Sequence, residues 1–447
     1  MAIISPFCGI RYNADRVPDL SQVIAPPYDV IAPAECEALY AQHPQNVVKL
    51  ILGKEGLPSH ERTNFYQTAA SLYCQWLHEG ILKADARPAL YVVDQTFEAM
   101  GKRYTRRGFM ARVLLEEFGR GSIHPHEQTI TAPKADRLRL LRAARANFSS
   151  IFGLYPDPNS GVRSLLAEAL KRERPLRARD REGVEVSLWK LDDTGLCATV
   201  TELLHHRPIF IADGHHRYET ALNYRNEVRG GDLSRLGDKA CDWVLMTCVA
   251  MEDPGLVILP THRVVRKGAD VKAGEVLKKI ERHFAIGKIE TATRNPVSDR
   301  NRVSCAQSAL RWMREGETAH RLAMYSGELD QCFRLQLRPD ADLAMAMPGR
   351  SPAWRQLDVS ILHYLVIAEA LGVPFEALGA TKELEYFKDA EKAAKAVQGL
   401  AGAFAFFLNA TPISALQAVA GAREKMPPKS TYFYPKLVTG LVINSVE

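Results

Sequence analysis

A chain of 447 residues, 46% apolar and 25% charged, has the composition of a folded protein and the length for two or three cores. Its net charge of +6 is spread too thinly for a nucleic-acid footprint, and no apolar run reaches the ~18 residues of a membrane span. The start, Met1 to Phe7, lacks the basic and apolar regions of a signal peptide, so a cytoplasmic protein is expected, bound to neither nucleic acid nor membrane.

Helical and strand-like segments alternate along the whole chain, which predicts an α+β or α/β architecture. The N-terminal region, residues 1–88, opens with the turn-rich segment Ala25-Pro26-Pro27-Tyr28-Asp29-Val30-Ile31 and continues with helical patterning. A core region, 89–266, begins with a strand pair, 89–96 and 104–114, joined near Gly101. His124-Pro125-His126-Glu127 precedes a helix over 134–147, and residues 156–195 read as a looser stretch. An apolar strand at 208–212 runs into Asp213-Gly214-His215-His216-Arg217 and a helix. Strands at 244–251 and 256–265 flank the turn Glu252-Asp253-Pro254-Gly255.

A C-terminal α/β domain is expected over 267–447, with a helix at 357–371 and a strand at 403–408. Thr411-Pro412 reads as a helix start, a capping hydroxyl followed by proline. Residues 426–436 form a loop rich in proline, lysine and aromatics, and 437–443 reads as a closing strand. The eight cysteines form no Cys-x-x-Cys pair and are expected as reduced thiols.

Chemistry concentrates at residues 213–217. A helix start has unpaired N–H groups and a partial positive charge, and so suits phosphate. Gly214 admits a close anion, and His215, His216 and Arg217 add donors. Asp213 would cap the helix or help hold a metal. Neighbouring histidines diverge on a helix, so His215 and His216 alone do not make a zinc site.

Upstream, Glu127 is the candidate general base, with His126 and Asp29 as further candidate catalytic residues. On the following helix Lys134, Leu138, Leu141, Arg145 and Phe148 form one stripe. Its two cations either pair with carboxylates or face an anion-binding cleft. The cleft is the preferred reading, and Arg137 is close enough to join it. Arg139 and Arg142 lie on another face, as solvated charges. Glu252 and Asp253 are candidate ligands for Mg²⁺, which prefers carboxylate oxygens. Lys429, Ser430 and Tyr432 either close over an anionic donor or only dock the last strand.

Residues 211–219, Ile-Ala-Asp-Gly-His-His-Arg-Tyr-Glu, resemble the shared box of the ParB/sulfiredoxin superfamily, in which a strand leads into Gly-x-x-Arg at a phosphate-binding helix start. His126-Glu127 resembles the superfamily's earlier box. In its free serine kinases the matching glutamate acts on the serine hydroxyl. Across nearly its full length the chain is similar to a large prokaryotic family catalogued as a domain of unknown function, DUF1015. The marks are residues 25–31, 125–127, 213–220, 251–255 and 427–436.

The resemblance implies a ParB/sulfiredoxin-like mixed-sheet core with further α/β regions at either end. His215 stands where sulfiredoxins need cysteine, which argues against sulfinic-acid reduction. A β-rich segment, not a helix-turn-helix, follows the box, which argues against a ParB role on DNA.

The implied reaction is phosphoryl transfer to the hydroxyl of free L-serine or a similar small amino acid. Pyrophosphate, ADP or ATP would be the donor, with Mg²⁺ as cofactor. Residues 213–217 would hold the donor, and Lys134 and Arg145 would stabilise the transferred group. A metal-dependent phosphatase using His124, His126, Asp213 and His262 is one alternative. A nucleotide-binding adaptor without turnover is another. Homodimerisation is left open.

Overall fold

Met100 and Gly101 both take positive φ, 50° and 73°, the conformation whose twist suits a two-residue hairpin. They join β2 (Leu90–Ala99) to β3 (Lys102–Leu114) in the computed structural model, which describes residues 2–53, 59–127, 131–171, 173–290, 299–316, 320–375 and 383–447. The architecture is mixed α+β. The chain divides into two units, one of Met1–Pro125, Thr129–Val257 and Phe433–Glu447, the other of His126–Gln128 and Ile258–Tyr432.

The first unit is built on a nine-stranded sheet. Besides the hairpin it contains β1 (Ile4–Ser5), β4 (Ile123–Pro125), β5 (Ile151–Tyr155), β6 (Leu176–Arg179), β7 (Glu185–Leu191), β8 (Ile209–Asp213) and β9 (Trp243–Ala250), in the order β4-β8-β5-β9-β3-β2-β7-β6, with β1 on β3. The pairs β4–β8 and β5–β9 are parallel and the other pairings antiparallel.

Helices α3 (Gly161–Leu170), α4 (Thr194–His205) and α5 (His215–Arg229) bury their apolar sides in one cluster with the central strands, through Val162, Leu166, Val200, Leu204, Tyr218 and Leu222. A second cluster joins the N-terminal segment to α1 (Ser59–His78) and α2 (Thr131–Ala144), through Val48, Trp76, Leu140 and Phe148. Residues 156–195, expected to be loose, therefore supply a helix and two strands. Their polar residues lie on the outer faces of amphipathic elements, which composition alone does not separate from a loop.

The second unit has a six-stranded, wholly antiparallel sheet of β10 (His262–Arg266), β11 (Phe284–Lys288), β12 (Arg321–Ser326), β13 (Gln331–Leu337), β14 (Leu384–Phe387) and β15 (Ala403–Phe407). The order is β11-β13-β12-β15-β10-β14. Helices α6 (Asp299–Arg314) and α7 (Ala390–Val397) pack on it, with Ala309, Met313, Ala393 and Val397 meeting Ala405 and Phe407.

Six local expectations need correction. The expected strand at 256–265 is two strands, Val257–Leu259 and His262–Arg266, because Pro260 interrupts the ladder. The helix at 357–371 is a short α-helix, Asp358–Ile361, that widens into a π-helix, Leu362–Ala368. The helix after α2's Ala144 does not continue to 147, since Arg145 turns to φ 48°.

Thr411 does not cap α8 (Ile413–Gly421); Pro412 holds the cap position, and the Thr411 hydroxyl donates to Ser430 O at 2.8 Å. Residues 437–443 form isolated bridges, Thr439 with Ala25 and Ile443 with Ile10, rather than a strand, because Gly440 turns the backbone at φ 97°. Finally, Cys305 and Cys332 form a disulfide, while the other six cysteines are free thiols. Packing of α6 on β13 brings their Cα atoms to 6.2 Å, a proximity that a separation of 27 residues does not announce.

Candidate functional site

β8 is a buried apolar strand until Asp213, and its pairing with β5 shifts register between Ile211 and Asp213. Such an irregularity re-aims the side chain that follows it. Gly214 then takes φ 91° and occupies the N-cap of α5 without a side-chain cap. A Cβ there would also sit 3.0 Å from the Arg217 guanidinium, but it is the positive φ that calls for glycine.

Asp213 does not cap the helix as expected. Its Oδ2 accepts from Arg217 Nη2 at 2.8 Å and its Oδ1 from Lys436 Nζ at 2.8 Å. Arg217 Nη1 donates to Ser150 O. Burial opposes ionisation of Asp213, but Lys436 and Arg217 outweigh it and hold the carboxyl well below the usual carboxylate range. One anion facing two cations leaves an excess positive charge, to which the start of α5 adds about half a charge. His215, 6% exposed, sits beside them as the first helical residue. The turn therefore carries net positive charge.

Lys436 and its support were missed by the sequence reading. Arg106, only 1% exposed, donates to Pro435 O at 2.6 Å, Tyr434 O at 3.3 Å and Gln95 Oε1 at 2.5 Å. Its guanidinium lies 4.7 Å from the Phe152 ring centroid. Gln95 Nε2 donates to Lys436 O at 3.0 Å. Two strand side chains thus fasten the carbonyls of residues 434–436. Burial drags the Arg106 guanidinium down to about 9, against smaller upward effects of Asp253 and Asp213. The available signal was an arginine at an inward position of an apolar strand.

The expected cationic stripe is divided, with Lys134 on α2 and Arg145 past its end, and both cations pair with carboxylates rather than standing open to a cleft. Lys134 Nζ meets Glu219 Oε2 at 2.7 Å, and Arg145 Nη1 meets the exposed Glu447 at 2.6 Å. Arg137 donates to Ile51 O at 2.6 Å and to Asp136, and its guanidinium lies 4.1 Å from the centroid of the Tyr28 ring. Asp29 is exposed in the turn beside Tyr28. Arg142 forms an exposed pair with Glu227.

Glu252 Oε2 accepts from Asp157 N at 2.7 Å, and Asp253 Oδ1 accepts from Gly255 N at 2.9 Å. Burial raises the Asp253 carboxyl toward its neutral form. Among the described residues, no group of three or more His, Cys, Asp or Glu is placed to hold a metal ion. His124 lies on β4 with its ring 5.1 Å from Phe210. His262, pushed down to about 4 by burial and Arg263, accepts from Leu408 N.

In the second unit the 426–432 segment gathers around residues 126–127. Met426 N donates to His126 O at 2.7 Å, and the buried His126 ring bonds Thr431 Oγ1 at 2.9 Å. Lys429, held at φ 58°, donates its backbone N–H to Glu127 Oε1 at 2.5 Å. Its carbonyl accepts from the fully buried Arg263 at 2.8 Å. The buried Ser430 hydroxyl donates to Pro427 O, and Lys388 lies 5.5 Å from the Tyr432 ring. Glu127 is thus anchored through one carboxylate oxygen.

Residues 4–360 match the model of the family described as "Protein of unknown function (DUF1015)". The chain belongs to that family. No curated protein matches it. Similar solved structures include a free serine kinase mutant in complex with ADP (TM-score 0.35, 11% identity, covering 73% of this chain and 89% of that one). Others are a conserved hypothetical protein from Pyrococcus furiosus (0.33, 13%, 72% and 92%) and SbnI with a C-terminal truncation from Staphylococcus aureus (0.33, 10%, 74% and 86%). Among the described residues no helix is long and apolar enough to cross a membrane.

Proposed function

We propose that the protein is a phosphotransferase that moves a phosphoryl group to the hydroxyl of free L-serine, or a similar small amino acid, giving O-phosphoserine. The observation that carries this reading is Asp213 held between Arg217 and Lys436 at an uncapped helix start. Phosphoryl transfer depends mainly on positioning and charge neutralisation, and this turn offers both to a phosphate. The choice of serine rests on the resemblance of His126-Glu127 and Asp213 to Arg217 to the boxes of free serine kinases.

In this reading the backbone at Gly214 and His215, with His216, Arg217 and Lys436, holds the donor, which is pyrophosphate, ADP or ATP. Glu127 takes the hydroxyl proton while Lys429 N–H fixes its orientation. When bound, Mg²⁺ would supply neutralisation of the donor's phosphate charge. Glu252 and Asp253, each accepting one backbone N–H, are the residues that would hold it. Lys134 on α2 and Arg145 just past its end stabilise the transferred group, with their charge reduced by their carboxylate partners.

The test is phosphorus NMR of the purified protein with L-serine, Mg²⁺ and each donor in turn. Phosphoserine should appear with one donor, and Glu127→Gln should lower the rate roughly 10²–10⁴-fold. Donor breakdown without phosphoserine, or an unimpaired Glu127→Gln, would overturn the reading.

A further inference from the structure

Beside the Asp213 cluster, the first unit contains a recess of about 60 Å³ whose polar lining includes Tyr28, Arg137, Arg217 and Thr220. Its floor is hydrocarbon, from Leu140, Leu141, Phe148 and Val244, each buried. The recess therefore joins the turn at Tyr28, helix α2 and the first turns of α5. We infer that it is the seat of a small carboxylic acid bearing a hydroxyl group, with its carboxylate toward Arg137 and its hydroxyl toward Thr220.

Three observations support that ligand class. Thr220 is 3% exposed, and its Oγ1 is buried without a hydrogen-bond partner. A buried hydroxyl left in this state costs free energy that a ligand oxygen would recover. Arg137 spends three N–H groups, on Asp136 and on Ile51 O, out of the five a guanidinium carries. Its Nε–Nη2 edge already grips Asp136, which leaves one N–H on each terminal nitrogen for a ligand carboxylate.

Size decides the rest. At roughly 10–15 Å³ for each water-sized group, the recess takes about four to six such groups. A three-carbon hydroxy acid or amino acid, with about seven non-hydrogen atoms, fits with its end at the open mouth, whereas a nucleoside is several times too large. Orthophosphate would fit by size, but it would place charged oxygens against leucine, phenylalanine and valine, which is costly.

The inference rests on the phosphotransferase reading only for its first probe, L-serine. The experiment is titration calorimetry of the full chain with L-serine, glycerate, propionate and inorganic phosphate, without phosphate donor or Mg²⁺. The wild type should bind serine or glycerate better than propionate, and Thr220→Val should weaken that binding roughly three- to tenfold. The same variant should unfold at an equal or higher temperature, because the lost hydroxyl has no partner.

Equal binding by Thr220→Val would overturn the assignment. So would propionate matching glycerate, phosphate displacing the acids equally well, or no acid binding at millimolar concentration. If serine binds here and no donor yields phosphoserine, the phosphotransferase reading fails and the recess stands.

Discussion

The two ends of α5 carry the same residue types and use them differently. At the C-terminal end Arg229 and Asp242 are 3% and 0% exposed and form a two-pronged pair, with both contacts at 2.5 Å. Asp242 also accepts the N–H groups of Gly237 and Lys239. One charge meets one charge, and the donors around it are consumed. At the N-terminal end one carboxylate faces two cations beside an uncapped helix start. The closed pair ties down the 229–242 connection. The open cluster retains positive charge, which a structural clamp has no use for and an anionic ligand does.

The comparison breaks most visibly at the closed end. Asp242→Asn should give the largest loss of stability, lowering the thermal midpoint by roughly 5–10 °C, since it leaves a buried guanidinium uncompensated. Burial opposes the Asp242 charge, but Arg229 and the backbone donors hold the carboxyl below its ordinary value. The pair's contribution is therefore complete above an unfolded pKa of about 3.9 and fades as pH falls through the lower folded value. The gap between wild type and Asp242→Asn should accordingly shrink below about pH 4, as calorimetric scans at several pH values would reveal.

At the open end, Lys436→Met should weaken binding of pyrophosphate or orthophosphate roughly tenfold or more. Its effect on unfolding should be smaller than that of Asp242→Asn, because Arg217 still pairs Asp213. A large loss of stability with unchanged anion binding would make the two ends alike. Smallest of all is Glu227→Gln on the outer face of the same helix. There Arg142 and Glu227 are 52% and 42% exposed, and the midpoint should move by about 1 °C or less.

What could be read from the sequence follows the range of the interactions involved. The hairpin at Met100-Gly101, the strand entering Asp213 and the helix after it depend on neighbours in the chain, and all three form as the pattern predicts. The 211–219 box also pointed to the positive turn. Lys436 was not singled out, because the contact that gives it meaning spans 223 residues. The same holds for Cys305 with Cys332 and for Glu127 with Lys429, which the folding of their unit brings together. Periodicity ran one stripe from Lys134 to Arg145, but the helix ends at Ala144, and the pattern had no means of naming Glu219 and Glu447 as their partners. The closing strand failed locally, since a single glycine at positive φ outweighed an apolar run.

The return of Phe433–Glu447 to the first unit has a consequence for biosynthesis. A ribosome delivers Asp213 and Arg217 long before Lys436, with the bulk of the second unit made in between. Until those final residues emerge, the carboxylate at the head of α5 has one cation rather than two, and only the helix start contributes excess positive charge. Removing the tail from the finished protein should therefore weaken phosphate binding at this turn as Lys436→Met does, because it takes away the same cation.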